Sequence, residues 1–300
     1  MEKLAIVITW FNPNKENIKN AIKNLLSLNF LYIYIVDNSQ NDNSELLKEF
    51  SNCTYLQNFN KGGIAGALNL GCTKALEDGF LWCMTLDQDS IFEKEMLKKY
   101  LELFEKYKSQ KDVVSFGTKV KNLNEYEHFT KIFRRKVLRP IKRFFIPYKE
   151  VQKTEFEYCK NMTIASGNII NLQTFKDLNG FDEYLFIDEV DSDFCHKIIH
   201  SNKKIMIFPG IILNQHFGEK IPFSILPKLR PVYTAFRYFY VFRNKFIMGY
   251  RYPEQKKGLD KHIRAFFIDY CINTLHPVKH FKIFLKAYNE FKNYKKNFEV

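Results

Sequence analysis

A chain of 300 residues with 46% apolar content has material for one large domain or two small ones around a substantial core. Its 26% charged content reads as globular, and its net charge of +13 points to an anionic partner: a nucleotide, a phospholipid surface, a phosphorylated acceptor or a nucleic acid. Cys53, Cys72, Cys83, Cys159, Cys195 and Cys271 lie scattered without a C-x-x-C pair, which argues against a zinc site and fits reduced thiols. Met1 to Trp10 carries no cleavage signal, and no run of ~20 uncharged apolar residues is present, so neither a signal peptide nor a membrane span is expected.

Leu4 to Thr9 is a continuous apolar run, as in a strand covered on both faces. Phe11-Asn12-Pro13-Asn14 breaks it, and Lys15 to Leu28 then repeats apolar residues at helical spacing. Tyr32 to Val36 is a second strand ending at Asp37-Asn38-Ser39. Ser44 to Phe50 reads as a short helix and Thr54-Tyr55-Leu56 as a third strand. Asn60-Lys61-Gly62-Gly63 opens a helix through Glu77, and the strand from Phe80 runs into Leu86-Asp87-Gln88-Asp89-Ser90. A helix over Glu93–Tyr107 and a strand over Val113–Phe116 follow.

Periodicity fades from 121 to 157. The basic, aromatic stretch Lys131–Lys149 reads as a connection or lid suited to a surface, or as a solvated loop. Ile164 to Ile170 resumes a strand, Leu172 to Leu178 is helical, and Phe186 to His200 is a helix with an acidic first turn. Lys204 to Phe208 is a strand, followed by Asn214-Gln215-His216. Beyond Pro231 the chain is helical, interrupted near Gly249–Pro253. Strands alternating with helices predict an open parallel α/β sheet. In such sheets ligands bind beyond the carboxyl ends of the strands, where Thr9, Asp37, Asn60–Gly63 and Asp87/Asp89 all fall.

Three constellations carry chemistry. Asp87 and Asp89 are one residue apart, so on an extended chain both face one crevice. Two like charges that close repel unless one is protonated or a cation sits between them, and Mg2+ or Mn2+ suits carboxylates and phosphate oxygens. Asn60–Gly71 is a glycine-rich turn into a helix N-terminus, a place for a phosphate or simply for close packing. Asp188, Asp191 and Asp193 crowd one helix start. On a regular helix Asp188 and Asp191 share a face that Asp193 leaves, and a carboxylate among carboxylates has the raised proton affinity of a general base.

In this order the motifs resemble the inverting family 2 glycosyltransferases of the GT-A fold. The matching segments are Val36-Asp37-Asn38-Ser39, Asn60–Gly71, Leu86–Ser90, Ser166-Gly167-Asn168, Gly180-Phe181-Asp182-Glu183, Val190-Asp191-Ser192-Asp193 and His216. Leu-Asp-Gln-Asp-Ser, Phe186-Ile187-Asp188 through Asp191, and Arg237-Tyr238-Phe239-Tyr240 through Arg243-Asn244 are similar to the rhamnosyltransferase branch. Val190 and Asn38 stand where many relatives carry Glu and Asp, and both departures occur in that branch.

The resemblance implies a Rossmann-like nucleotide-diphospho-sugar transferase fold with a mostly parallel central sheet. A 1–220 catalytic domain would hold a nucleotide half (1–118), a connecting lid (121–157) and an acceptor half (159–220), with a helical region over 221–300. It implies that Thr9 and Asp37 contact the donor's base and ribose, that Asn60 and Gly63 lie on the donor side, and that Asp87 and Asp89 form the D-x-D pair. Asp89 and His216 would hold Mg2+ or Mn2+, and Asp191 would be the base. Asp188, Asp193, Gly167 and Asn168 would lie on the acceptor side. The implied reaction moves L-rhamnose from dTDP-rhamnose, or another UDP- or dTDP-sugar, to a glycan or lipid-linked saccharide. The implied setting is the cytoplasm, on an anionic inner membrane surface.

Two rivals differ in class. A nucleic-acid-binding protein would account for the charge, but no nucleic-acid module is visible and the acidic segments stay unexplained. A sugar-1-phosphate nucleotidyltransferase would need a glycine-rich basic loop after the first strand, and Phe11-Asn12-Pro13-Asn14 is not one.

Overall fold

The computed structural model describes residues 4–28, 31–122, 154–215, 233–272 and 277–298. The basic stretch 131–149 and His216 lie outside the described residues. The chain divides into two compact units, one of residues 1–121 with 154–215, the other of 122–153 with 216–300.

The first unit is a mixed sheet flanked by helices. Strand β1 (Leu4–Trp10) is buried along its whole length. It pairs in parallel with β2 (Leu31–Asp37) on one side and β4 (Trp82–Asp87) on the other. β2 in turn pairs in parallel with β3 (Cys53–Gln57). Helix α1 (Lys15–Leu26) joins β1 to β2, and α2 (Gly63–Glu77) joins β3 to β4. Ser44–Leu47 is a single 3-10 turn in place of the expected helix to Phe50.

The sheet continues beyond β4 in antiparallel fashion. After β5 (Ser90–Ile91), α3 (Lys94–Tyr107), β6 (Val113–Asn122) and β7 (Glu157–Tyr158) comes β8 (Asn168–Asn171), which pairs with both β4 and β6. Helices α4 (Leu172–Asp177) and α5 (Val190–His200) precede β9 (Lys204–Gln215), and the strand order is β3-β2-β1-β4-β8-β6-β9-β5. β9 runs seven residues past the expected end at Phe208, through Pro209-Gly210.

Packing explains the close fit of the layers. Helix α2 is built of small residues on its inner side, with Ala65, Ala67, Gly71, Cys72 and Ala75 all buried. A Cβ at Gly71 would stand 2.5 Å from Val7 and 2.9 Å from Val36, so only glycine lets α2 cross β1 and β2 at this depth. Helix α3 buries Leu97, Tyr100, Leu101 and Phe104, the i, i+3, i+4, i+7 spacing of one helical stripe. Under it Phe116 and Phe208 stack at 6.0 Å, and the Tyr100 hydroxyl donates to the carbonyls of Phe116 and Gly167.

The second unit contains helices α6 (Ala235–Arg251), α7 (Lys256–Ile272) and α8 (Pro277–Phe298). Tyr238, Phe242, Ile263 and Ala287 form its core, with Phe246, Phe267 and Phe284 packed against them. Thr234 caps α6 by accepting from the Arg237 N–H. Arg243 is buried there, 4.6 Å over the Tyr240 ring, and its Nε donates to Asn244. The Arg-Asn pair is therefore internal framework of α6.

Candidate active site

Strand register gathers the polar residues at one edge of the sheet. Thr9 lies opposite Asp87 and beside Val36, and Trp10 lies opposite Asp37. β8 runs the other way, so its first residue, Asn168, pairs with Thr85 near the end of β4. The last residue of β9, Gln215, pairs with Ser90. The expectation that β1, β2 and β4 deliver their ends to a common rim is met by these pairings.

The D-x-D segment is braced on both sides. Gln88 makes two hydrogen bonds to Phe11, accepting from its N–H at 2.8 Å and donating to its carbonyl at 3.1 Å. The Asp87 N–H donates to Ser166 Oγ, whose hydroxyl also meets that of Ser90 at 2.6 Å. The carboxylates of Asp87 and Asp89 stay half-buried at the rim.

Gln215 spans the pair. Its Nε2 donates to Asp87 Oδ2 at 2.7 Å and lies 3.3 Å from Asp89 Oδ1. The residue is 4% exposed, and its Oε1 is buried with no hydrogen-bond partner among the described residues. One donor that reaches both carboxylates shows that their oxygens converge on a single point. Two carboxylates and an uncommitted amide oxygen are an all-oxygen set of the kind that suits Mg2+ or Mn2+. Sequence reasoning passed over Gln215, although a polar residue at an inward position of a strand whose Ile211 and Leu213 are both 0% exposed was the available signal.

Asp37, the expected contact of base or ribose, is the last residue of β2. It is 0% exposed. Its Oδ1 accepts from the Ser39 N–H, and its Oδ2 from Asn43 Nδ2 and the Tyr55 hydroxyl. It braces the turn after β2 and offers no open oxygen. Asn38 ties that turn to α2, donating to the Gly63 carbonyl and accepting from Asn58 at 2.6 Å. An aspartate could not make the first of these bonds, which gives a physical reason for Asn at this position.

Asn60 and Gly63 shape the entry to α2. Asn60 has φ +57 and accepts from the Gly63 N–H. Gly63 has φ +62, and a Cβ there would lie 2.4 Å from the Phe186 carbonyl. The next residue, Ile64, donates its N–H to that same carbonyl at 2.8 Å. Asn69 completes the join, bonding both the N–H and the carbonyl of Phe181. The glycine-rich entry is thus packed against the segment 181–186.

That segment corrects the expected helix over 186–200. Helix α5 begins only at Val190, and Phe186, Asp188 and Glu189 all have positive φ. Non-glycine residues in this region cost about 1–3 kcal/mol each and cluster at functional sites. Asp188 is therefore on a turn and shares no helical face with Asp191. Asp193, expected on the acceptor side, is 0% exposed and pairs with Lys197 at 3.4 Å. Gly167 and Asn168 are internal as well. The Gly167 N–H donates to the Thr85 carbonyl, and Asn168 is 6% exposed, so they build the junction of β4 and β8.

Asp191 remains partly accessible at the first residue pair of α5. Burial, chiefly, and the charges of Glu189, Asp188 and Asp87 raise its carboxyl from 3.8 to about 7, against the pull of the Ser192 N–H. The influence of Asp87 puts the D-x-D carboxylate and Asp191 in one electrostatic environment. A small void lined by Thr85, Asn168, Phe181 and Asp191 joins α5 to the ends of β4 and β8. The arrangement can hold a cation and a proton acceptor side by side.

Residues 5–167 match the sequence family described as Glycosyl transferase family 2. The chain is 26% identical over 246 residues to dTDP-rhamnosyl transferase RfbF of Shigella flexneri, covering 81% of this chain and 78% of that protein. Among solved structures it resembles S. aureus TarS. The 1–349 fragment in complex with UDP-GlcNAc gives a TM-score of 0.57 at 15% identity, over 97% of this chain and 80% of that one. A longer TarS chain gives 0.51 at 15% identity over 83% of this chain, which spans only 39% of it. At such identity the likeness to TarS is one of fold.

Proposed function

The chain belongs to glycosyl transferase family 2, and from that premise we propose that it moves L-rhamnose from dTDP-rhamnose to a saccharide hydroxyl with inversion. The observation that carries the reading is the convergence of Asp87, Asp89 and Gln215 within electrostatic reach of a carboxyl held near 7 at Asp191. Asp191 takes the acceptor hydroxyl's proton as that oxygen attacks the anomeric carbon. The nucleoside diphosphate leaves from the opposite face in a single displacement.

Asp89 and Asp87, with the Gln215 carbonyl oxygen and His216, are the groups that would hold Mg2+ or Mn2+. The ion would act there as a Lewis acid toward the departing diphosphate. Gln215 keeps the two carboxylates aimed at one point. Thr9 and the turn that Asp37 braces form the donor's base side. The turn 186–189 sets the mouth toward the acceptor.

The catalytic domain of this reading is 1–220, with its nucleotide half in 1–118, its acceptor half in 159–220 and a lid in 121–157. The helical region 221–300 accompanies it. The acceptor is a saccharide, free or lipid-linked, met in the cytoplasm at the inner face of the membrane. Rhamnose as donor sugar is supported by the relative from Shigella flexneri, whose name states dTDP-rhamnosyl transfer, and by the Leu86–Ser90 motif.

A donor screen tests the proposal. Purified protein with Mn2+ or Mg2+ is given a panel of UDP-, dTDP- and GDP-sugars, and nucleotide release is followed. Release from dTDP-rhamnose above all others is expected. Release from a UDP-sugar alone would move the donor, and none from any nucleotide sugar with a saccharide acceptor present would end the reading.

A further inference from the structure

Helix α8 turns an unusual side to solvent. Val278, Phe281, Leu285 and Tyr288 are 70%, 49%, 41% and 36% exposed. Their spacing of three, four and three residues puts them on one stripe. Ala287 and Tyr294, on the other side, are buried, and Tyr294 accepts from Arg251 Nε of α6 at 2.8 Å. The inner side thus already has its partner; Phe281 and Tyr288 border it, 6.4 Å from Phe267 and 5.2 Å from Phe246, and turn their remaining surface outward with Val278 and Leu285.

The flanks of that stripe are basic. Lys282, Lys286, Lys292 and Lys296 are all exposed. Among the described side chains of α8 the one carboxylate, Glu290, is half-buried. The whole second unit has the same bias, with 26 Lys and Arg against 9 Asp and Glu, whereas the first has 20 against 24. The excess positive charge of the chain therefore belongs to the unit that carries α8.

We propose that this side of α8 docks on an anionic lipid bilayer, the helix lying in the headgroup plane with Phe281 and Leu285 inserted. The inference deepens the reading above by naming the element that touches the membrane, and rests on it only for the purpose of the contact. Apolar residues bordered by lysines are the pattern of an interfacial helix. No helix among the described residues is long and apolar enough to cross a membrane, so contact in the plane is the available mode. A second copy of the chain is a poorer occupant. A two-fold contact through this face would oppose its four lysines with the same four.

Co-sedimentation tests it, using the full chain with vesicles of phosphatidylcholine alone or mixed with phosphatidylglycerol. Wild type should bind the anionic vesicles, release with salt, and largely ignore the neutral ones. Phe281→Ser with Leu285→Ser, and separately Lys282→Glu with Lys286→Glu, should each lower anionic-vesicle binding about tenfold or more. All four positions are at the surface, and circular dichroism melts check that the variants fold. No wild-type binding at low salt, or equal binding to both vesicle types, would overturn the proposal. So would variants that bind like wild type, since vesicle binding would then belong to another segment such as 131–149. A loss of self-association in sedimentation velocity with vesicle binding intact would assign the face to a second copy. Nucleotide calorimetry on the same variants keeps the two readings apart, because soluble donor binding should be unchanged in every one of them.

Discussion

Asp191 titrates where a base must work. With its carboxyl at about 7, an appreciable fraction is ionised at neutral pH, and the ionised form has high proton affinity. Asp191→Asn should reduce kcat about 10²–10⁴-fold and leave donor affinity nearly unchanged, because the base touches the acceptor. Initial rates and nucleotide calorimetry check both halves. In wild type, kcat should climb with pH through about 7. Stability should run the other way. The folded carboxyl is raised above its unfolded value of 3.8, so its contribution is full below about 4 and is lost as pH rises through about 7. Asp191→Asn should therefore gain in Tm over wild type when the two are compared at about pH 8 rather than about pH 4. Gln215 gives a second test at this scale. Gln215→Leu keeps bulk but removes the bridge between Asp87 and Asp89, and should weaken Mn2+-dependent nucleotide binding about 10–100-fold. Gln215→Glu should lose less, since it retains an oxygen toward the ion. Equal losses in calorimetry would mean that the amide N–H alone matters.

Among the elements, those with a simple period were legible in the sequence. β1, β2 and β4 are buried or nearly so, and α2 begins at its glycines and ends at Glu77 as expected. Two failures have physical causes. Pro209-Gly210 looks like a turn, but β9 passes through it because Ile211 and Leu213 stay in the core on the far side. The acidic run 188–193 looks like the first turn of a helix. Instead, Asp188 and Glu189 take left-handed backbone just after Phe186, whose carbonyl accepts from Ile64 of α2, over a hundred residues earlier. Local propensity cannot contain that information. Gln215 was hidden for a related reason, since its partners, at the end of β4 and in the turn after it, lie 128 and 126 residues away. Gly63→Ala tests the coupling of α2 to the turn. Its Cβ would strike the Phe186 carbonyl in a positive-φ position, so a loss of about 2 kcal/mol or more is expected, with slower turnover. Gly210→Ala meets nothing within 4 Å and should stay within about 0.5 kcal/mol. Denaturant melts of both variants decide it; a neutral Gly63→Ala would show that the turn is not held from α2.

Across the whole molecule, charge is divided between the two units. The first unit is slightly acidic by its counts, and five carboxylates, Asp87, Asp89, Asp188, Glu189 and Asp191, gather around its rim. A nucleoside diphosphate is itself an anion and would be repelled there. The first unit's own cations do not relieve this, since its 20 Lys and Arg are outnumbered by 24 Asp and Glu. A divalent ion at Asp87 and Asp89 would reverse the local sign. Nucleotide affinity should therefore fall about tenfold or more on chelation with EDTA and return with Mn2+. Asp89→Asn separates charge from coordination. Removing one negative charge should make metal-free nucleotide binding somewhat tighter than in wild type, while the gain on adding Mn2+ shrinks because a carboxylate ligand is gone. Calorimetry of dTDP and UDP, with and without Mn2+, on wild type and this variant gives the four affinities needed. If wild type binds the nucleotide equally well in EDTA, the rim tolerates a naked diphosphate and the cation site is not part of donor binding. If Asp89→Asn keeps the full response to Mn2+, the ion sits elsewhere.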